Sequence, residues 1–254
     1  MSVANGIAGD ARTNRRAIAT ICIGIFLLVV NDVMAKWLTD YYDPLQIIFV
    51  RSMLVLPLIA TALWFSNGRA AFRTRHWRVH VLRGILIVCA AYTFFTSLTV
   101  LPLAEATCLV FAAPLFITAL SVLFFGEQVG WRRWAAICTG LVGALVVIRP
   151  GAAVFQMASL LPVATALFYA LLMLSTRLIH RSENIWTMMF YLVLLPIPIC
   201  GPIVVFIWAP IDPAHLPYFL GTAVCSALGG TLISHAFRLA PAAIVAPFDY
   251  TALI

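Results

Sequence analysis

Of the 254 residues, 63% are apolar and 10% are charged, against roughly 45–50% and 25% in a soluble domain. That composition excludes a water-soluble globule, because the chain lacks the polar surface to face water on all sides. The net charge of +7 does not mark a nucleic-acid binder either: the basic residues sit in short clusters between apolar runs, so no nucleic-acid partner is expected. The sequence reads as an all-α polytopic membrane protein surrounded by membrane lipid.

Residues 1–16 form a tail carrying Arg12, Arg15 and Arg16. Apolar runs then recur at about 17–38, 44–66, 80–100, 102–125, 131–149, 156–179, 185–208 and 217–239, each able to cross roughly 30 Å as a helix. A ninth begins near Pro241. The tail and first run resemble a signal peptide, but the run is long enough to span. Basic residues gather at alternate connections: Arg69, Arg73, Arg75 and Arg78 after the second run, Arg132 and Arg133 after the fourth, Arg177 and Arg181 at the sixth, Arg238 at the eighth. Lys and Arg near span ends are retained on the cytoplasmic side, so the amino terminus is expected inside a bacterial inner membrane. All seven tryptophans fall near expected span ends, as in an interfacial aromatic belt.

Residues 92–104 can be laid over 231–243, aligning Pro102 with Pro241 and giving a period of about 139 residues. Residues 17–150 then form one five-helix half and 156–254 begin a second. Five is odd, so the second half enters the membrane upside down, as in inverted-repeat transporters. Ten spans are expected and about eight and a half are present, with closure about 34 residues beyond Ile254. Small residues at every fourth position (Ala136, Gly140, Ala144; Ser226, Gly230, Ser234; Ala104, Cys108, Ala112) mark faces for close helix packing. Pro57, Pro114, Pro162, Pro196, Pro198 and Pro247 are expected to kink their spans.

Ionisable residues inside spans are costly and therefore functional candidates. Asp32 and Arg51 lie at similar depth, near the outer ends of neighbouring spans, and either form a structural ion pair or, with Asn31, line a solute cavity. Glu105 opens the fourth span, His235 lies near the inner end of the eighth, and Asp249, followed by Tyr250, falls near mid-membrane in the ninth. Tyr92 offers a stacking surface, as do Phe95 and Tyr169. No metal, cofactor or catalytic site is expected: His76 and His80 make only one pair, and the six cysteines lie in apolar runs without a CxxC. There is no GxxxxGK[ST] loop for a nucleotide, so energy comes from gradients or exchange. A membrane-embedded enzyme is the competing class and lacks a catalytic cluster.

The stretch Pro114 to Glu127, followed by Trp131, Arg132, Arg133 and Trp134 and then Gly140 and Gly143 before Arg149 and Pro150, resembles the EamA-type half-repeat of the drug/metabolite transporter superfamily. Within that superfamily, residues 31–36, the Phe49, Val50, Arg51 step, residues 80–84 and residues 238–247 look like the S-adenosylmethionine uptake branch. The resemblance implies ten spans in two inverted halves, a central solute site and alternating access. It favours an S-adenosylmethionine-like solute, with riboflavin, an amino acid or a drug as alternatives. A homodimer is left open.

Overall fold

The computed structural model describes residues 2–68, 72–126, 130, 131, 134, 135, 138, 139, 142, 157–176, 178, 179, 183, 185–239, 248 and 251. Helices account for the regular structure among these: α1 (Ser2–Leu38), α2 (Pro44–Asn67), α3 (Trp77–Leu98), α4 (Leu103–Val110), α5 (Ala113–Phe125), α6 (Leu160–Thr176), α7 (Ile185–Leu194), α8 (Pro196–Ile207) and α9 (Leu216–Leu239). By length and hydropathy, six stretches of the described residues can cross a membrane: Thr13–Leu38, Pro44–Phe65, Trp77–Leu98, Leu103–Phe125, Trp186–Ile207 and Pro213–Ile233. α6, where the sixth span is expected, is a shorter apolar helix. Most of the fifth expected span and nearly all of the ninth lie outside the described residues.

Local chemistry sets the boundaries. Asp43 caps α2 by accepting from Leu45 N at 2.8 Å, with Pro44 in the first turn where its missing N–H costs nothing. α5 ends at Gly126, whose φ of 63° is left-handed backbone that glycine adopts without penalty. Two expected spans are each built from two helices. The fourth breaks at Phe111 and Ala112 ahead of Pro114, and the seventh at Leu195 ahead of Pro196. Proline removes a donor and crowds the carbonyl one turn back, which explains both positions. α1 is continuous from Ser2, within the expected tail, to Leu38.

Helices distant in sequence pair in space. α1 lies along α9, α3 lies along α6, α2 packs against α7, α8 and α9, and α4 and α5 cover α6. Glycines allow the closest approaches. A Cβ on Gly229 would stand 2.9 Å from Gly24 O of α1, and one on Gly84 would stand 2.5 Å from Leu195 Cβ. The expected contact at Gly230 falls one residue away: a Cβ there would meet nothing within 4 Å, because Gly229 occupies the crossing. Residues 39–43 and 208–215 share one end of the bundle with Tyr41, Tyr42 and Tyr218, here the tyrosine end. Residues 72–76 and Glu183 share the other, the arginine end, with Arg73, Arg75 and Arg78. The largest apolar core, including Leu38, Ile47, Ile48, Phe95, Leu98, Val204 and Phe219, fills the tyrosine end, and Ala17, Ile21, Ile25 and Ala236 form a smaller cluster toward the other.

A candidate solute site between two cross-linked ends

Asp32 stands six residues before the end of α1 and Arg51 seven after the start of α2. At about 1.5 Å per residue both lie roughly 10 Å in from the tyrosine end. Each is partly buried and each is a charged neighbour of the other, yet they make no ion-pair contact. Asp32 Oδ1 accepts from Asn31 Nδ2 at 2.9 Å, while the Arg51 guanidinium lies over the Phe95 ring, 5.4 Å from its centroid. Asn31 Oδ1 and, on α3 beside Phe95, Thr96 Oγ1 are buried without a hydrogen-bond partner. A charge at the bilayer centre costs about 2.5–3.5 kcal/mol on insertion scales, so two charges left unpaired among orphaned polar atoms are unusual. The nearby hydroxyls do not share this state. Ser97 donates to Phe94 O, Thr222 to Phe219 O, and Thr93 and Thr165 join α3 to α6 at 2.7 Å, satisfying themselves as intramembrane Ser and Thr commonly do. Lys36 is likewise used structurally: its ammonium donates to Leu98 O at 2.6 Å and Leu101 O at 3.1 Å, closing the end of α3.

Each end of the bundle carries a polar clasp. At the tyrosine end, Gln46 of α2 donates to Ala209 O at 2.7 Å and accepts from Ala209 N at 2.9 Å. The Tyr42 hydroxyl accepts from Asp212 N at 3.1 Å and bonds His215 Nδ1 at 2.8 Å. Trp37 stacks on Tyr218 above this pair, with centroids 4.1 Å apart. At the arginine end, His80 of α3 donates from Nε2 to Glu183 Oε2 at 2.6 Å, and Thr74 donates to the other carboxylate oxygen. Arg83 reaches Thr176 of α6, Tyr191 stacks on His80 at 4.5 Å, and its hydroxyl donates to Phe72 O at 2.8 Å. Burial pushes the Glu183 carboxyl up. The hydrogen bonds from Thr74 and His80, with the neighbouring His80 and His76, outweigh that and hold it below its usual 4.5.

Residues 15–149 match the model of the EamA-like transporter family. The chain belongs to that family. Among the relatives of this EamA-like chain, a protein of Rickettsia felis named S-adenosylmethionine uptake transporter is 27% identical over 241 residues, covering 91% of this chain and 80% of its own length. Two named riboflavin transporter are similar at comparable distance: that of Vibrio cholerae at 30% identity, covering 93% and 80%, and that of Rhizobium johnstonii at 31%, covering 92% and 78%. A solved crystal structure superposes with a TM-score of 0.60 at 16% identity, covering 93% of this chain and 94% of that one; that likeness shows the fold. The all-helical membrane architecture and the transporter family expected from sequence are therefore established for this chain.

The EamA-like fold brings together some expected site residues and separates others. Asn31, Asp32 and Arg51 converge, and Phe95 joins them under the guanidinium. Tyr92 is 39% exposed on α3, and Glu105 is partly buried in the first turn of α4. His235 is exposed toward the arginine end of α9. Asp249 and Tyr250 lie outside the described residues. Sequence reasoning missed the partners of both clasps. His76 and His80 make only one pair, too few for a metal site, and the partner of His80 is Glu183, 103 residues away. The available signals were a lone acid among arginines at 177–183 and a lone amide, Gln46, opening an apolar span.

Proposed function

We propose that this chain is a secondary transporter that carries a small polar organic metabolite by alternating access, without ATP, and that its favoured solute is S-adenosylmethionine-like. Residues 17–150 and 156–254 are its two inverted halves, following the tail 1–16. The observation that carries the reading is the pairing of helices. If span n of the first half corresponds to span n+5 of the second, the contact of α1 with α9 maps onto that of α6 with α3. The contact of α2 with α9 likewise maps onto that of α3 with α7 and α8, and all are present. The packing of α4 and α5 on α6 has its counterpart in Phe248, which packs on the Ala17, Ile21 and Ile25 cluster of α1. An in-plane two-fold axis generates such pairs, and transporters of this build hold solute near it. The two clasps correspond in the same way, and each joins one half to the other at opposite ends of the bundle.

Arginines at residues 73, 75 and 78 support an arginine end, amino terminus included, on the cytoplasmic side of a bacterial inner membrane. Asp32 and Arg51 suit a charged solute, which favours S-adenosylmethionine. Riboflavin is the second reading, supported by the two relatives of that name at 30% and 31% identity. Counterflow into proteoliposomes preloaded in turn with S-adenosylmethionine, riboflavin and mixed amino acids tests the proposal. Exchange of one solute, unstimulated by an imposed proton gradient, identifies a facilitated exchanger; no exchange from verified folded protein refutes the carrier.

A further inference from the structure

We infer that Asp32 and Asn31 of α1 take the ammonium, and Arg51 of α2 the carboxylate, of a single α-amino acid head carried by the solute. This rests on the transporter reading and adds to it the chemical group that the site grips. Unlike charges at equal depth in a low dielectric attract strongly and, as a structural pair, close to contact. Here they stop short of contact: among the described residues Asp32 is bonded only to Asn31, and Arg51 makes no hydrogen bond, resting on Phe95. A solute bearing both signs, seated between them, satisfies both at once.

The stereochemistry of the free atoms agrees. On the α1 side the acceptors left over are the second oxygen of the Asp32 carboxylate and the buried, unpartnered Asn31 Oδ1. An ammonium supplies up to three N–H donors for such a set. On the α2 side everything left over is a donor, in the planar fork that binds a carboxylate through two parallel bonds. A neutral flavin ring would leave both charges as it found them.

The test is competition against counterflow of labelled S-adenosylmethionine. S-adenosylhomocysteine keeps the amino acid head and lacks the sulfonium; 5′-methylthioadenosine keeps the nucleoside and lacks the head. The first is expected to compete within about tenfold of S-adenosylmethionine and the second at least a hundredfold more weakly. Equal competition by the two overturns the inference. In Arg51→Gln the advantage of S-adenosylhomocysteine should fall at least tenfold, and Arg51→Lys should retain most of it. The comparison in the unmodified chain decides the matter where a variant does not elute as a folded species. Exchange of methionine without S-adenosylmethionine supports the head and overturns the favoured solute. Exchange of riboflavin alone overturns the inference and leaves the carrier standing, and absence of all exchange overturns both.

Discussion

Replacing Glu183 with alanine removes the acceptor of two hydrogen bonds, one from Thr74 and one at 2.6 Å from His80. His80 is 1% exposed at its side chain and its Nδ1 already has no partner, so the variant leaves a buried imidazole with neither nitrogen bonded. A hydrogen bond to a charged group contributes about 1.5–3 kcal/mol, and breaking a buried pair by deleting one member costs about 3–5 kcal/mol. The Glu183 side chain is only 6% exposed but sits at the end of the bundle, so the lower part of that range, about 3 kcal/mol, is expected. At about 2–4 °C per kcal/mol for a chain of this size, thermal unfolding in detergent should shift down by roughly 6–12 °C. Glu183→Gln keeps an acceptor for one donor and should cost about half as much. The pH dependence carries the sharper sign. A carboxyl held below 4.5 in the folded state contributes stability that is complete above 4.5 and is lost as pH falls through the folded value. The unmodified chain should therefore lose part of its advantage over Glu183→Ala below pH 4.5. A shift under 2 °C, or parallel pH profiles for the two proteins, would refute the reasoning.

Three further outcomes follow from the packing. Gly84→Ala places a Cβ 2.5 Å from Leu195 Cβ and should destabilise by about 1–3 kcal/mol through overpacking; Leu195→Gly, which removes the opposing Cβ, should cost less in the Gly84→Ala background than in the unmodified chain when both are read by thermal unfolding. Gln46→Ala deletes both bonds to Ala209 and leaves its N–H and C=O to find other partners, a loss of about 1–3 kcal/mol in the same assay. Lys36→Met removes the ammonium from Leu98 O and Leu101 O, and α3 should fray from that end, read as faster hydrogen exchange at residues 95–101 than in the unmodified chain.

The spans were legible because apolar length is a local property, and apart from the start of α1 at Ser2 the described helices follow the expected runs to within a few residues. Leu195 and the pair Phe111 and Ala112 show where legibility weakens: proline signals a break, but whether a helix bends or restarts depends on what packs there. The choice of Gly229 over Gly230 was beyond a four-residue stripe, since the two differ only in which direction they present on α9. Asp32 and Arg51 were legible as intramembrane charges. Their failure to pair was not, because it depends on the spacing of α1 and α2 that more distant helices impose. The His80 and Glu183 contact was invisible for the same reason.

The crossing of α1 and α9 at Gly24 and Gly229 has a mechanical consequence. Backbone meets backbone there, flanked by the side chains of Leu28 and Ile233, so the point resists sliding but leaves the two rods able to tilt about it. Fourteen residues separate Gly24 from Leu38, and fourteen separate Gly229 from His215, a lever arm of about 21 Å. A tilt of roughly 10° at such a fulcrum carries the lever tips apart by about 4 Å, more than the hydrogen bond between Tyr42 and His215 can stretch. A rotation too small to disturb the packing at the fulcrum is thus large enough to unfasten the far end.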